Sequence, residues 1–255
     1  HRISLCDTIT LRKISRPAFR LITKHPDLTQ VKKNLIYRAY LLLRRTVSWK
    51  GGVEVGLEKN IPVAAGLGGG SSNAAHFLIG MNRLFKLGLP QNTLLRLARK
   101  LGADVPFFIH GVNQAVGRGR GDQIDVKPAL RKLWFVLIAS RSGISTRMAY
   151  ERLRAPRLTR ISRVATITSD FFDALGKAGK SRFLRNDLYQ IGRTLQPELS
   201  DLGSLLSQFG RGSWTMSGSG PTMVSVHRTE SEAIKAARFI RRRKPGVQVF
   251  ICRSY

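Results

Sequence analysis

The segment Ile61-Pro62-Val63-Ala64-Ala65-Gly66-Leu67-Gly68-Gly69-Gly70-Ser71-Ser72-Asn73-Ala74-Ala75 constrains this chain more than any other, because its glycines and serines run directly into a helical pattern. Glycine reaches positive φ without strain and lets an anion approach the backbone with no Cβ in the way. The amides that follow stand at a helix N-terminus, where unpaired N–H groups and the helix dipole favour a phosphate. Ser71 and Ser72 are candidates to cap that helix and to offer hydroxyls to a phosphate or a phosphate-bound metal ion. The pattern reads as a nucleotide-phosphate cradle, although a flexible Gly/Ser turn before an ordinary helix would use the same residues. Neither common phosphate motif fits. No Gly-Lys pair follows, as a P-loop requires, and Ser71 stands where a Gly-x-Gly-x-x-Gly fingerprint needs its third glycine.

The flanking residues place this loop. Val53, Val55 and Leu57 alternate with Gly52, Glu54 and Gly56, which predicts a half-buried strand feeding Lys59-Asn60-Ile61-Pro62. A helix is expected over 71–87, with Ala74, Leu78, Met81 and Phe85 along one face and Gly88 as its stop. A second helix follows Pro90, with Leu94, Leu97, Ala98 and Leu101 inward and Arg96, Arg99 and Lys100 outward, closed by Gly102. Gly117-Arg118-Gly119-Arg120-Gly121-Asp122 is a turn-rich interruption. Residues 129–132 then lead into the apolar run 133–139, a buried strand far too short to cross a bilayer. A domain boundary is expected close to residue 127, giving domains 1–127 and 128–255. The second half alternates helices with strands, including 222–227 and 247–252, and Thr229-Glu230-Ser231-Glu232 is a capping box opening the last helix. The expected fold class is α+β in two domains.

Composition removes several classes of function. Cys6 and Cys252 have no metal-ligand spacing, no two histidines do either, and His110 is given no role, so no metal site is expected in the chain itself. Lys and Arg number 44 against 15 Asp and Glu, a net charge of +29 that concentrates polyanions near the surface. Yet the basic residues are dispersed, with only Arg241-Arg242-Arg243-Lys244 forming a dense run, and no compact nucleic-acid signature accompanies them. A solvated helix face is the plainer reading of that run, so neither a specific nucleic acid nor a membrane is expected as a partner. Oligomeric state is not set by the sequence.

Two further segments carry the argument beyond the loop. Leu101-Gly102-Ala103-Asp104-Val105-Pro106-Phe107-Phe108 puts a carboxylate between a helix stop and a proline in apolar surroundings. Held there, Asp104 would face a cleft and take a proton from a hydroxyl, whereas an ordinary Asp at such a place caps a helix or makes an ion pair. Met216-Ser217-Gly218-Ser219-Gly220-Pro221-Thr222 is a second glycine loop. In this order the three segments resemble the motifs of the GHMP kinases, with weaker echoes at Asn34-Leu35-Ile36, from Ser145-Thr146 to Tyr150, and at Asn186-Asp187-Leu188. Gly-Ala-Asp-Val-Pro is similar to the signature of the branch that phosphorylates the 2-hydroxyl of 4-diphosphocytidyl-2-C-methyl-D-erythritol in the non-mevalonate isoprenoid pathway.

The resemblance implies an N-terminal GHMP domain and a ferredoxin-like C-terminal domain, with the active site between them. It implies ATP as phosphate donor, Mg²⁺ arriving with the nucleotide, and a CDP-linked small-molecule acceptor. By the same resemblance Asp104 activates the acceptor hydroxyl. Pro62, Ala65, Gly66, Leu67, Gly68, Gly69, Gly70, Ser71, Ser72 and Asn73 bind ATP, with Asn34, Leu35 and Lys59 on the adenine side. Gly218, Ser219 and Gly220 approach the transferred phosphate, and Thr146 and Tyr150 lie on the acceptor, Tyr150 against the cytosine ring. The family's N-terminal Ala-Lys-x-Asn-Leu is not found, and the chain begins at His1, so truncation or loss of a catalytic lysine is expected. The place of work implied by the pathway is a bacterial cytoplasm or a plastid-type organelle. Two other readings remain: a GHMP kinase for another small alcohol, or an inactive paralogue whose basic surface binds polyanions.

Overall fold

The computed structural model describes residues 1–28, 30–127, 132–140, 143–152, 184, 186–209 and 213–255. The chain divides into two compact units. One comprises residue 1, 5–63 and 68–127, and the other 2–4, 64–67 and 128–255.

In the first unit β1 (Thr8–Ile14), β2 (Phe19–Ile22) and β3 (Gly52–Glu58) form a sheet in the order β1-β3-β2, with β3 antiparallel to β1 and parallel to β2. Period-two alternation turns Ile9, Leu11, Phe19 and Leu21 toward a core shared with Val53, Val55 and Leu57. The sequence predicts a half-buried β3, but Gly52 and Glu54 on its other face are buried too. The cause is its central position. Arg12 from β1 and Arg20 from β2 close over Glu54 with ion pairs of 2.6 and 3.0 Å, which hold its carboxyl below the usual carboxylate range.

Helices α1 (Leu35–Thr46), α2 (Gly69–Leu84), α3 (Gln91–Leu101) and α4 (Val105–His110) contribute their apolar stripes to the same core. Helix α2 begins before Ser71 and ends before the expected Leu87. Lys86 and Gly88 both take positive φ, and the Asn82 amide bonds the backbone of Leu89 in both directions, at 2.9 and 3.0 Å, turning the chain toward α3. The turn-rich Gly117–Asp122 stretch proves to be the tip of a hairpin, β4 (Ala115–Arg118) with β5 (Gln123–Val126).

The second unit holds β6 (Trp134–Ala139), β7 (Trp214–Met216), β8 (Met223–His227) and β9 (Gln248–Arg253) in one antiparallel sheet, order β7-β8-β6-β9. Counted within the unit this is second-third-first-fourth, the ferredoxin-like order. Helices α5 (Thr146–Arg152), α6 (Leu188–Leu195), α7 (Glu198–Leu206) and α8 (Glu230–Arg243) accompany it. Thr229 and Glu232 form the expected reciprocal capping box at the start of α8. The expected lead-in from residue 129 to 131 lies outside the described residues.

Phe77 on α2 has no exposed surface and meets Phe19 edge-on at 6.3 Å, so α2 is held to the sheet largely by this ring. Phe77→Ala is expected to destabilise the first unit by about 3–5 kcal/mol. Native-state hydrogen exchange of α2 amides reads this directly, and unchanged protection would refute it.

Candidate active site

In the first unit the glycine turn is organised by a residue that the sequence did not single out. Asp7 stands just before β1, and its buried carboxylate accepts from every side. Oδ1 takes the backbone N–H groups of Asn60 and Ile61, both at 2.8 Å, and Oδ2 takes Lys59 Nζ at 2.7 Å and Asn73 Nδ2 at 2.9 Å. The Asp7 and Lys59 side chains are only 1% and 6% exposed. Burial pushes the Lys59 ammonium down, and the hydrogen bond and charge of Asp7 oppose that shift. Lys59 and Asn73, expected at the nucleotide, are both directed to Asp7, which binds the exit of β3 to the first turns of α2. That closeness dictates glycine at 69, where a Cβ would lie 2.9 Å from Ile61 Cγ2 and 3.1 Å from Lys59 Nζ.

The N-cap of α2 is Gly68 at φ +67°, with no side-chain cap bond. Ser71 and Ser72 thus lie in the first turn rather than capping it, and the Ser72 N–H already donates to Gly68 O at 2.9 Å. The amides of Gly69, Gly70 and Ser71 precede the first intrahelical bond and have no hydrogen-bond partner among the described residues. Leu35 comes beside this turn, its Cδ1 3.6 Å from where a Cβ on Gly70 would be. Asn34 caps α1, its Oδ1 accepting from Ile36 N at 2.9 Å. Pro62 is half-buried in the turn between β3 and the loop.

Asp104 occupies the N-cap position of α4, yet its side chain caps nothing and makes no hydrogen bond or ion pair among the described residues. Both ordinary uses of an Asp at such a place are therefore absent. The residue stays open to solvent, while partial desolvation by its apolar neighbours raises its carboxyl above the usual range. On the same short helix Phe108 faces the cap of α2, its ring 3.6 Å from where a Cβ on Gly68 would stand. The helix hairpin thus brings the Gly-Ala-Asp-Val-Pro segment to the glycine turn. His110 ends α4, its imidazole pulled down by desolvation and by the charge of Arg99.

A cleft of about 600 Å³ opens on the sheet between Thr8, Thr10, Ile22 and Lys59; neither the glycine turn nor Asp104 lines it.

In the second unit, residues 64–67 pack against the loop after β7. Ser217 Oγ donates to Gly66 O at 2.9 Å and Thr222 N to Ala65 O at 3.3 Å. Gly66 is at φ +73°, where a Cβ would strike Ser217 O and lie 2.8 Å from Gly220 O. Gly218 and Gly220 also take positive φ, and Ser219 Oγ is 2.9 Å from Thr146 Oγ1. Leu67 is half-buried beside them, and Ala64, at φ +53°, is a left-handed residue without glycine's freedom. Tyr150 is 58% exposed on α5, so it is not a core tyrosine. One contributor was missed. Asn186 Nδ2 donates to both Met216 O and Gly218 O at 2.7 Å, a role signalled in the sequence only by the Asn-Asp-Leu echo.

Among the described residues no group of three or more His, Cys, Asp or Glu side chains is placed to hold a metal ion, and no helix is long and apolar enough to cross a membrane.

Comparison with known proteins gives consistent matches. Residues 34–112 match the GHMP kinases N terminal domain and residues 171–246 the GHMP kinases C terminal domain. A protein of Gloeobacter violaceus named 4-diphosphocytidyl-2-C-methyl-D-erythritol kinase is 34% identical over 99% of this chain and 83% of its own length. One of the same name from Syntrophus aciditrophicus is 36% identical over 98% of this chain and 87% of its own. A crystal structure of 4-(cytidine 5'-diphospho)-2C-methyl-D-erythritol kinase superposes with a TM-score of 0.80 at 29% identity, over 99% of this chain and 88% of that one. A homoserine kinase from Cytophaga hutchinsonii shares the fold, with a TM-score of 0.71 at 19% identity.

Asp7→Asn leaves the Lys59 ammonium buried without its counter-charge and is expected to cost about 3–5 kcal/mol of first-unit stability. Adding Lys59→Met should recover part of that loss, because the stranded charge is then gone. Hydrogen exchange of β3 amides in the two variants checks both, and equal losses in each would show that the ion pair is not what matters.

Proposed function

The chain belongs to the GHMP kinase family, and from that premise we infer that it is an ATP-dependent kinase phosphorylating the 2-hydroxyl of 4-diphosphocytidyl-2-C-methyl-D-erythritol. The observation that carries the chemistry is the Asp104 carboxylate, without a hydrogen-bond or ion-pair partner among the described residues, on a helix that abuts a glycine-lined helix N-terminus with no side-chain cap. Phosphoryl transfer asks a protein chiefly for positioning and for neutralisation of phosphate charge. The free amides of Gly69, Gly70 and Ser71 supply the second, directing partial positive charge at an anion without a side chain between. Leu35 gives an apolar wall beside them.

Asp104 is the group able to accept the acceptor's hydroxyl proton. Among the described residues no donor competes for it, and its raised pKa makes it a stronger base than a free aspartate. A Mg²⁺ ion bound with the nucleotide would neutralise further phosphate charge, and the Ser71 and Ser72 hydroxyls in the first turn of α2 would be available to hold it. Exposed Tyr150 offers a ring on which cytosine can stack, and Thr146 with Ser219 a pair of hydroxyls for the acceptor. Gly218, Ser219 and Gly220 form the second backbone approach to the transferred group. The surplus of basic charge favours ATP and a diphosphate-bearing acceptor alike. The curated relatives named above are bacterial, which supports a bacterial cytoplasm over a plastid-type organelle as its place of work.

ADP release on mixing the protein with ATP and the CDP-linked acceptor tests the reading. Asp104→Asn should lower kcat by about 10²–10⁴-fold while ATP affinity persists; a variant that turns over normally would remove Asp104 from the chemistry. Because the Asp104 carboxyl titrates above the usual range, kcat/KM should fall as pH drops through that raised value, an acid limb missing from the residual activity of Asp104→Asn. The stability consequence has the opposite sign. A carboxyl raised by folding opposes its own ionisation, so Asp104→Asn should be no less stable than the parent at neutral pH. Tyr150→Ala should raise KM for the CDP-linked acceptor about tenfold and leave KM for ATP unchanged, in keeping with the roughly 1–3 kcal/mol of a base–aromatic stack.

A further inference from the structure

The loop that follows β7 has no secondary structure of its own to fix it, yet its backbone groups are tied. Inside the loop, Gly220 N donates to Ser217 O and Ser217 N to Thr222 O, both at 2.8 Å. From outside, Thr146 Oγ1 meets the Ser219 hydroxyl at 2.9 Å, and a further side chain reaches the carbonyls around the turn. Asn186 Nδ2 donates to Met216 O and to Gly218 O, and Asn186 Oδ1 accepts from Leu188 N at 2.9 Å. The loop then passes the restraint on, for Ser217 between those two carbonyls donates through Oγ to Gly66 O. A chain of hydrogen bonds, joined by the backbone of residues 216–218, therefore runs from the start of α6, through Asn186 and then Ser217, to the backbone of the first glycine loop. Its members are close-fitted: Gly66 and Gly218 face each other, a Cβ on Gly218 lying 3.1 Å from Gly66 O.

We propose that Asn186 is a positioning residue for phosphoryl transfer, setting the second glycine loop and, through Ser217, the entry to the first. The inference rests on the kinase reading above. An amide is suited to the task because one group supplies two donors to two carbonyls while its oxygen accepts from the helix start. Carbonyls that both point at one donor group would otherwise repel each other across the turn. A loop displaced by an ångström keeps its capacity to bind nucleotide and loses alignment with the reacting atoms, so the effect falls on kcat more than on KM.

The test uses Asn186→Asp, which keeps an acceptor for Leu188 N but replaces the donor with an oxygen facing two carbonyls, and Ser217→Ala, which removes only the bond to Gly66. Asn186→Asp should lower kcat about 10–100-fold with KM for ATP within about threefold of the parent. Ser217→Ala should lower kcat in the same way, and the double variant should fall short of the product of the two, because both act along one path. In parallel, exchange of the Ser217 and Gly220 amides should accelerate at least about tenfold in Asn186→Asp while β6 and β8 amides keep their protection. Unchanged exchange at those amides overturns the proposal, as does a loosened loop with kcat retained. Should Asn186→Asp not fold, Ser217→Ala with normal kcat overturns it alone. If the unaltered protein shows no turnover of the CDP-linked acceptor, the kinase reading fails by that result, and the exchange measurement still decides whether Asn186 holds the loop.

Discussion

The first unit depends on one buried carboxylate. Asp7 meets an ammonium, an amide side chain and two backbone N–H groups, drawn from the exit of β3 and the body of α2. A buried charge is tolerable only when such a set of donors replaces its water, and each of these is itself buried or held in a turn. Remove the acceptor and Lys59 becomes the uncompensated charge, its ammonium already disfavoured by burial. The glycine turn is built against this cluster: Gly69 has no room for a side chain because Lys59 and Ile61 are pulled in. What begins as an electrostatic requirement ends as a steric one, and the free amides of α2 are its outcome.

The four-glycine loop consequently serves two demands that the sequence presents as one. Gly68 caps α2 in a left-handed turn, and Gly69 yields space to the Asp7 cluster. Gly66, packed with the loop after β7, needs both positive φ and the absence of a Cβ, since two carbonyl oxygens occupy the place one would take. Ala64 shows the cost of departing from glycine. At φ +53° it holds a conformation that L-residues adopt with strain, of order 1–3 kcal/mol, borne by the hydrogen bonds around it.

Local signals in the sequence were reliable wherever the physics is local. The helical stripe Leu94, Leu97, Ala98, Leu101 is buried as its spacing requires, and the Thr229–Glu232 box forms because its partners are three residues apart. Period-two alternation gave the core face of β3, but the burial of Glu54 depends on neighbours from two other strands, which no window of sequence contains. The same limit hides the hydrogen-bond partner of Lys59 and Asn73. Each stands beside the glycine motif, and proximity in sequence suggested the nucleotide; their actual partner, Asp7, is 52 and 66 residues away. Asn186 was visible only as an echo, because its partners lie 30 and 32 residues downstream. Asp104 was legible because its signal is an absence: a carboxylate set among apolar residues with no basic neighbour in the segment.

Two aspartates of the first unit, Asp7 and Asp104, sit in contrasting environments. Asp7 is more deeply buried, and its two oxygens are occupied by four donors. Asp104 has lost part of its water and gained nothing in return, and that deficit is what raises its proton affinity. A structural carboxylate would relax the deficit by capping α4 or pairing with one of the many arginines, and in a chain of +29 such partners are plentiful. Among the described residues Asp104 instead makes no hydrogen bond or ion pair at the head of its helix, which is what its proposed role as a base calls for.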